Sequence, residues 1–216
     1  MHQSIQNLIK IKNKIKLNCQ FYNNINIIAV SKTFPLDNVL SLVDYGHDHF
    51  GENKVQEAIE KWTDIKKEKE HIKLHLIGKL QTNKVKYAVR LFDYIHSLDS
   101  IKLAKKIAEE QTKQSKKIKI FIQVNLANEI QKSGVQIDEL DVLYKSSIQL
   151  NLDIIGLMCI PPEAENSEKY FKQLKKIRVK FGLKDLSMGM SSDYLLAIKH
   201  EATFIRIGSE IFGKRN

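Results

Sequence analysis

Residues 27–35 read Ile-Ile-Ala-Val-Ser-Lys-Thr-Phe-Pro, and the fold prediction depends on this stretch. It begins as a short apolar, largely β-branched run and ends in a proline, a pattern that predicts a buried strand meeting a loop. Lys32 then stands at the carboxyl end of that strand. In an α/β barrel this end faces the active-site rim, whereas a lysine taken alone is a solvated loop residue. The rest of the chain decides between these two interpretations.

Short apolar runs alternate with helical patterns along the whole chain. The runs predict strands at 25–31, 49–52, 74–77, 94–97, 118–125, 154–160, 186–188 and 204–207. Helical patterns lie between successive strands, near 36–45, 53–67, 82–91, 100–115, 137–149, 166–181 and 192–200. This regular alternation predicts parallel strands joined by crossover helices.

Eight predicted strands in a chain of 216 residues favour a closed (β/α)8 TIM barrel. An open, doubly wound sheet is the alternative, since a strand count read from sequence is easily wrong by one. An extra amphipathic helix over residues 3–17 precedes the barrel, with Ile5, Leu8, Ile11 and Ile15 on one face. No linker or shift in composition interrupts residues 1–216, so we expect a single domain.

The composition, 43% hydrophobic and 28% charged, is that of an ordinary globular protein. No apolar window is long enough to cross a membrane, and the amino terminus does not resemble a signal peptide, so we expect a cytoplasmic protein without a membrane partner. The net charge is +10. Its lysines are spread over nearly every predicted helix, which argues against a nucleic-acid partner but suits small anionic ligands. We expect a monomer.

Neither the cysteines nor the paired histidines predict a metal site. Cys19 and Cys159 lie far apart in sequence and belong to no metal-binding spacing, so both are predicted to be free thiols. His47 and His49 flank Asp48, but no third ligand is evident, and we expect no bound metal.

Polar residues follow several of the predicted strands. Asn53, after the second strand, is either a helix cap or a hydrogen-bond donor in the mouth of the barrel, and Thr82 is a candidate cap for the fourth helical stretch. Ser191 follows strand seven, and Gly208 and Ser209 follow strand eight. Barrel enzymes commonly bind phosphate with these two loops, so we predict a phosphate site there rather than two ordinary caps.

Arg206 ends the last predicted strand, which in a closed barrel lies beside the first. Its cation can contact a phosphate or another acceptor on the same ligand. The structural alternative is a salt bridge at the end of the barrel.

These motifs together resemble the pyridoxal phosphate homeostasis proteins, a single-domain relative of the alanine racemase barrel. The resemblance is carried, in order, by Ala-Val-Ser-Lys (29–32), Phe-Gly-Glu-Asn (50–53), His-Leu-Ile-Gly (75–78) with Leu-Gln (80–81), Lys-Ser-Gly (132–134), Gly-Leu-Met (156–158), Leu-Ser-Met-Gly-Met-Ser (186–191), and Arg-Ile-Gly (206–208) with Ile-Phe-Gly (211–213). It implies a fold-type III-like barrel for pyridoxal 5'-phosphate (PLP). Each motif alone is weak, but the ordered set is specific.

The resemblance implies that Lys32 holds PLP as an internal aldimine. It also implies that Ser191, Gly208 and Ser209 bind the phosphate. Arg206 would face the pyridine nitrogen, and Asn53 would line the pocket. Relatives often carry a polar or basic residue at position 34, where this chain has Phe34. No role is implied for Lys132.

We therefore expect a non-catalytic PLP-binding protein that maintains cellular PLP and passes it to PLP-dependent apoenzymes, with no catalytic residues. A protonated arginine at the ring nitrogen leaves a weaker electron sink than an acidic partner does. The chain also ends soon after strand eight, which leaves no segment for the additional β domain of the racemases. Two alternatives remain: a PLP-dependent racemase-like enzyme, and a barrel enzyme that forms a Schiff base between Lys32 and a sugar phosphate.

Overall fold

The computed structural model describes residues 1–32, 34–129, 133–163 and 165–213. Within these ranges the strands form one closed parallel barrel in sequence order. They are β1 (Asn26–Val30), β2 (His49–Glu52), β3 (Lys73–Leu76), β4 (Tyr94–Leu98), β5 (Lys119–Gln123), β6 (Asp153–Met158), β7 (Asp185–Ser187) and β8 (Phe204–Ile207). β8 pairs with β1, with Ile207 opposite Ala29. The predicted TIM barrel is confirmed, and the open-sheet alternative is wrong.

Helices precede, connect and follow the strands. They are α1 (Gln3–Asn18), α2 (Leu36–Asp44), α3 (Val55–Glu68), α4 (Val85–Leu91), α5 (Ile101–Gln114), α6 (Leu140–Gln149), α7 (Ser167–Lys180), α8 (Tyr194–Lys199) and α9 (Ser209–Phe212). α2 to α8 are the crossover connections, whereas α1 is the predicted extra helix.

Predicted and observed boundaries differ mainly where helices begin. The predicted helix at 82–91 begins as a 3-10 turn, Thr82–Lys84, and the one at 137–149 begins only at Leu140. The helix predicted from residue 53 begins at Val55, because Lys54 has an extended backbone (φ −128°, ψ 130°). Strand boundaries agree more closely, since short apolar runs mark the buried part of each strand.

Apolar side chains fill two regions, one on each face of the sheet. The larger region lies between the strands and the surrounding helices. The smaller one lies inside the barrel, where Ile28, Val30, Phe121, Met158 and Phe204 pack together with Tyr94. The interior is therefore packed, and a ligand must bind at the ends of the strands.

α1 packs outside the barrel near the junction of its first and last strands. Its buried face carries Leu8, Ile11 and Ile15, three of the residues predicted to form its apolar stripe. Asn7 Nδ2 donates a hydrogen bond to the Ile211 carbonyl oxygen of α9 at 3.0 Å. In the described part of the chain, no helix is both long and apolar enough to cross a membrane.

Candidate functional site

Lys32 lies at the carboxyl end of β1, one residue beyond the buried Ser31. The backbone N–H of Ser31 donates to the Gly51 carbonyl oxygen of β2 at 3.0 Å, so the pairing of β1 and β2 extends up to the residue before the lysine. Lys32 itself is half-buried. Its neighbour Thr33 lies outside the described residues. The amine is thus carried by a strand end whose backbone is fixed.

A buried ion pair, which the sequence analysis missed, lies beneath Lys32. Glu52 is fully buried at the end of β2, and its Oε1 accepts hydrogen bonds from Ser31 Oγ at 2.8 Å, Lys61 Nζ at 3.0 Å and Trp62 Nε1 at 3.0 Å. Lys61 Nζ also donates to the Ser31 carbonyl oxygen at 2.8 Å. This network fixes the peptide that precedes Lys32.

Asn53 follows β2 on the same rim but does not cap α3. The helix cap position is held by Lys54, which makes no capping hydrogen bond through its side chain, so the predicted cap role is wrong. The predicted cap at Thr82 is also wrong, since Thr82 is the first residue of a 3-10 turn and lies before Lys84, the cap position of α4. Asn53 Oδ1 is buried and has no hydrogen-bond partner in the described ranges. A buried polar atom of this kind calls for a partner outside the protein, such as water or a ligand.

Arg206 is a buried cation in the last strand, with only 4% of its surface exposed. One guanidinium nitrogen donates to Ser187 Oγ at 2.8 Å, and the other donates to the Cys159 carbonyl oxygen at 2.9 Å. Burial lowers the pKa of the guanidinium. No carboxylate of a described residue forms an ion pair with it, so the predicted alternative of a salt bridge is not observed. Arginine has five N–H donors, and these two bonds leave others for a ligand.

The loops after β7 and β8 meet at a surface cleft of about 860 Å³ whose lining includes Ser191 and Ser209. The Glu210 backbone N–H donates to Ser191 Oγ at 3.5 Å, which joins the two loops. A Cβ atom added at Gly208 would lie 3.4 Å from the Val30 carbonyl oxygen, so a side chain there would crowd the end of β1. Ser191 and Ser209 therefore line one cleft, and Gly208 lies between that cleft's Ser209 and the end of β1.

A row of hydrogen bonds crosses the barrel interior and ends at Arg206. His49 Nδ1 lies 2.8 Å from His75 Nε2, His75 Nδ1 lies 2.9 Å from His96 Nε2, and His96 Nδ1 lies 2.8 Å from Ser187 Oγ. Burial lowers the pKa of His49 and lowers those of His75 and His96 much further. His75 and His96 lie two residues from Ile77 and Tyr94, which pack in the barrel interior, and this spacing is a hint that the sequence offers.

The remaining predicted groups lie elsewhere or outside the described residues. Cys19 is half-buried and Cys159 is buried, and both are free thiols as predicted. Burial raises the pKa of Cys159 to about 12. The described ranges contain no group of three or more His, Cys, Asp or Glu residues that could hold a metal ion. Lys132 falls outside those ranges.

Sequence comparison gives the family. The model of the alanine racemase N-terminal domain matches residues 6–216. A pyridoxal phosphate homeostasis protein of Haemophilus influenzae is 36% identical, over 97% of this chain and 95% of its own length. One of Aquifex aeolicus is 37% identical, over 89% of this chain and 88% of its own length. One of Escherichia coli K12 is 33% identical, over 100% of this chain and 98% of its own length.

The chain belongs to the pyridoxal phosphate homeostasis protein family. Among solved structures, this family member is similar to PipY of Synechococcus elongatus with PLP bound, which has 33% identity and a TM-score of 0.88 over 98% of this chain and 100% of that one. The alanine racemase of Clostridium difficile has a TM-score of 0.72 at 16% identity, and this chain covers 57% of its length. That second likeness shows a shared fold only.

Proposed function

We propose that this protein binds PLP reversibly on Lys32 and releases it to PLP-dependent apoenzymes. The observation that carries the proposal is the position of Lys32, at the end of β1 and directly beside the strand that holds Arg206 and leads into Gly208 and Ser209. Membership of the family supports the choice of ligand, as does the PLP-bound structure of the related PipY.

The side chains at the rim suit the functional groups of PLP. PLP supplies an aldehyde that condenses with a primary amine. Lys32 Nζ would form the bond to the aldehyde carbon, with loss of water. Asn53 Oδ1 is a buried polar atom that lacks a described protein partner, so it can face a polar ligand. Ser191 and Ser209 would donate hydroxyl hydrogen bonds to the phosphate, and Gly208 would let the backbone approach it closely.

Arg206 would face the ring nitrogen of PLP, and this favours a carrier over an enzyme. A guanidinium remains protonated, so it donates a hydrogen bond to the ring nitrogen but cannot give it a proton. An unprotonated ring is a weak electron sink. Transamination is then disfavoured, whereas binding is unaffected. The names of the relatives, homeostasis proteins, are consistent with this choice.

Covalent trapping tests the proposal. We expect the protein, incubated with PLP and then reduced with borohydride, to gain one phosphopyridoxyl group, which mass spectrometry of peptides assigns to Lys32. Lys32→Ala should abolish the label. Lys79→Ala is the matched control, since Lys79 lies exposed on the loop after β3, and this variant should label like the wild type. A label that persists in Lys32→Ala contradicts the proposal.

The racemase alternative predicts exchange of the α-proton. Incubation of the PLP-loaded protein with single L-amino acids in deuterium oxide, followed by mass spectrometry, measures that exchange. We expect no incorporation above the level given by PLP alone. Incorporation that Lys32→Ala abolishes would establish an enzyme.

Three further expectations belong to the proposal. We infer that residues 1–216 act as one PLP-binding unit, that this unit is a monomer, and that it acts in the cytoplasm. Light scattering measures the mass of the particle with and without PLP, and cell fractionation measures its location. Transfer is tested by mixing the loaded protein with a PLP-dependent apoenzyme and following the return of that enzyme's activity, with free PLP removed beforehand.

A further inference from the structure

Only one direction of the hydrogen-bond row that ends at Arg206 gives the Ser187 hydroxyl proton an acceptor among the described residues. A guanidinium can donate but cannot accept, so Ser187 Oγ accepts from Arg206 across 2.8 Å. The single hydroxyl proton of Ser187 is then free to be donated to His96 Nδ1, 2.8 Å away. With Nδ1 as acceptor, neutral His96 carries its proton on Nε2.

The same direction continues through the next two imidazoles. His96 Nε2–H donates to His75 Nδ1 at 2.9 Å, and His75 Nε2–H donates to His49 Nδ1 at 2.8 Å. Each of the three rings is therefore assigned the same tautomer, with the proton on Nε2. His75 and His96 must be neutral in this arrangement, because a protonated ring has two donors and no acceptor. The lowered pKa values of the buried rings agree with that state.

The row explains how the barrel holds an arginine that pairs with no carboxylate of the described residues. Burying an unpaired cation is costly unless polar groups face it with their negative ends. Aligned hydrogen bonds polarise one another, so the lone pair that Ser187 offers to Arg206 is strengthened by the rings behind it. If the row were reversed, Ser187 would have to turn its proton away from His96 and would lose this support.

We propose that His49, His75 and His96 are positioning residues, which keep Ser187 oriented as an acceptor and thereby hold the Arg206 guanidinium in the orientation that binds the ligand. That the ligand is PLP rests on the proposed function. The tautomers and the direction of the hydrogen bonds do not depend on it. The row transmits orientation rather than protons, because the arginine at its end does not release a proton at physiological pH.

Nitrogen NMR of the ligand-free protein tests the row directly. In uniformly ¹⁵N-labelled protein at neutral pH, the imidazole nitrogen shifts should assign a single Nε2–H tautomer to His49, His75 and His96. His200 lies outside the row, half-buried near Glu168, and serves as the reference for an imidazole not held in it. An Nδ1–H tautomer, or an averaged mixture, at His75 or His96 would overturn the assignment.

Substitution of His96 tests the effect on the ligand. We expect His96→Phe to raise the dissociation constant of PLP roughly tenfold, because Ser187 loses the acceptor of its proton. His96→Gln retains an acceptor and a donor, so its dissociation constant for PLP should stay within about twofold of the wild type. The control His200→Gln, outside the row, should do the same. Thermal unfolding checks that each variant is folded, and if His96→Phe is not, His75→Gln against His75→Leu gives the same comparison.

The outcomes separate the two proposals. If the wild type takes up no PLP, the proposed function fails, while the tautomers still test the row. If PLP binds to Lys32 and folded His96→Phe binds it as tightly as the wild type, the positioning role is wrong. Weaker binding in His96→Phe that His96→Gln restores supports it.

Discussion

Lys61 Nζ donates a hydrogen bond to the Ser31 carbonyl oxygen at 2.8 Å, on the peptide that directly precedes Lys32. The same ammonium group lies 3.0 Å from Glu52 Oε1, a carboxylate that is fully buried. A crossover helix is in this way tied to the end of the strand that carries the proposed PLP lysine. The contact links the stability of the barrel to the geometry of the site.

Lys61→Met should destabilise the protein strongly, because it leaves the Glu52 charge buried without its cation. We expect a loss of about 3–5 kcal/mol in the free energy of unfolding, measured by urea denaturation. Lys67→Met is the matched control: Lys67 lies on the same helix and pairs with Asp64 in solvent, so its loss should be within about 0.5 kcal/mol. Equal losses in the two variants would contradict a structural role for the buried pair.

Arg206→Gln should separate ligand binding from stability. The substitution removes a buried cation that forms no ion pair within the described part of the chain, so the free energy of unfolding should fall by less than about 1 kcal/mol. The dissociation constant of PLP should rise roughly tenfold, since a charge-assisted hydrogen bond is lost. Fluorescence titration measures the binding, with Arg90→Gln on the exposed face of α4 as the control. Unchanged binding in Arg206→Gln would remove Arg206 from the site.

The architecture was predictable because short, mostly apolar runs alternate regularly with helical patterns. β8 was predicted residue for residue, and Lys32 follows the end of β1 as expected. Helix starts were less accurate, since the cap position of α3 is Lys54 and its extended backbone, rather than a preferred capping residue, sets the boundary. At this position the helix propensity of the residues is overridden by the extended path that the backbone takes across the rim.

The hydrogen bonds that hold the site residues in place were not predictable in the same way. Ser187 and His96 are 91 residues apart, and Ser31 and Glu52 are 21 apart. Such contacts depend on which face of each strand points inward and on which strands lie opposite one another across the barrel. The sequence alone does not give the register in which neighbouring strands pair, so it does not give these contacts. The rim residues could be proposed because every strand end meets the same rim.

Substitutions in the two predicted phosphate loops should weaken the binding of PLP but not that of pyridoxal. Ser191→Ala and Ser209→Ala should each raise the dissociation constant of PLP by roughly three- to tenfold, since each removes a hydrogen bond to a charged group. Neither should change the affinity for pyridoxal, which lacks the phosphate. Ser192→Ala, in the lining of the same cleft, is the control and should leave both affinities unchanged. Equal losses for PLP and pyridoxal would indicate a general defect rather than a phosphate contact.

Buried neutral histidines should make the protein sensitive to mild acid. Burial lowers the pKa of His47 to about 4, whereas an unfolded histidine titrates near 6.5. Between these values the unfolded chain binds more protons than the folded one, so stability is full above about pH 6.5 and falls as the pH decreases towards 4. His47 alone should cost roughly 3 kcal/mol by the end of that range. Urea unfolding across this range measures the slope, which His47→Gln should reduce and the exposed-site control His71→Gln should not. A wild-type stability that is flat from pH 6.5 to 4 would show that these rings are protonated in the folded state.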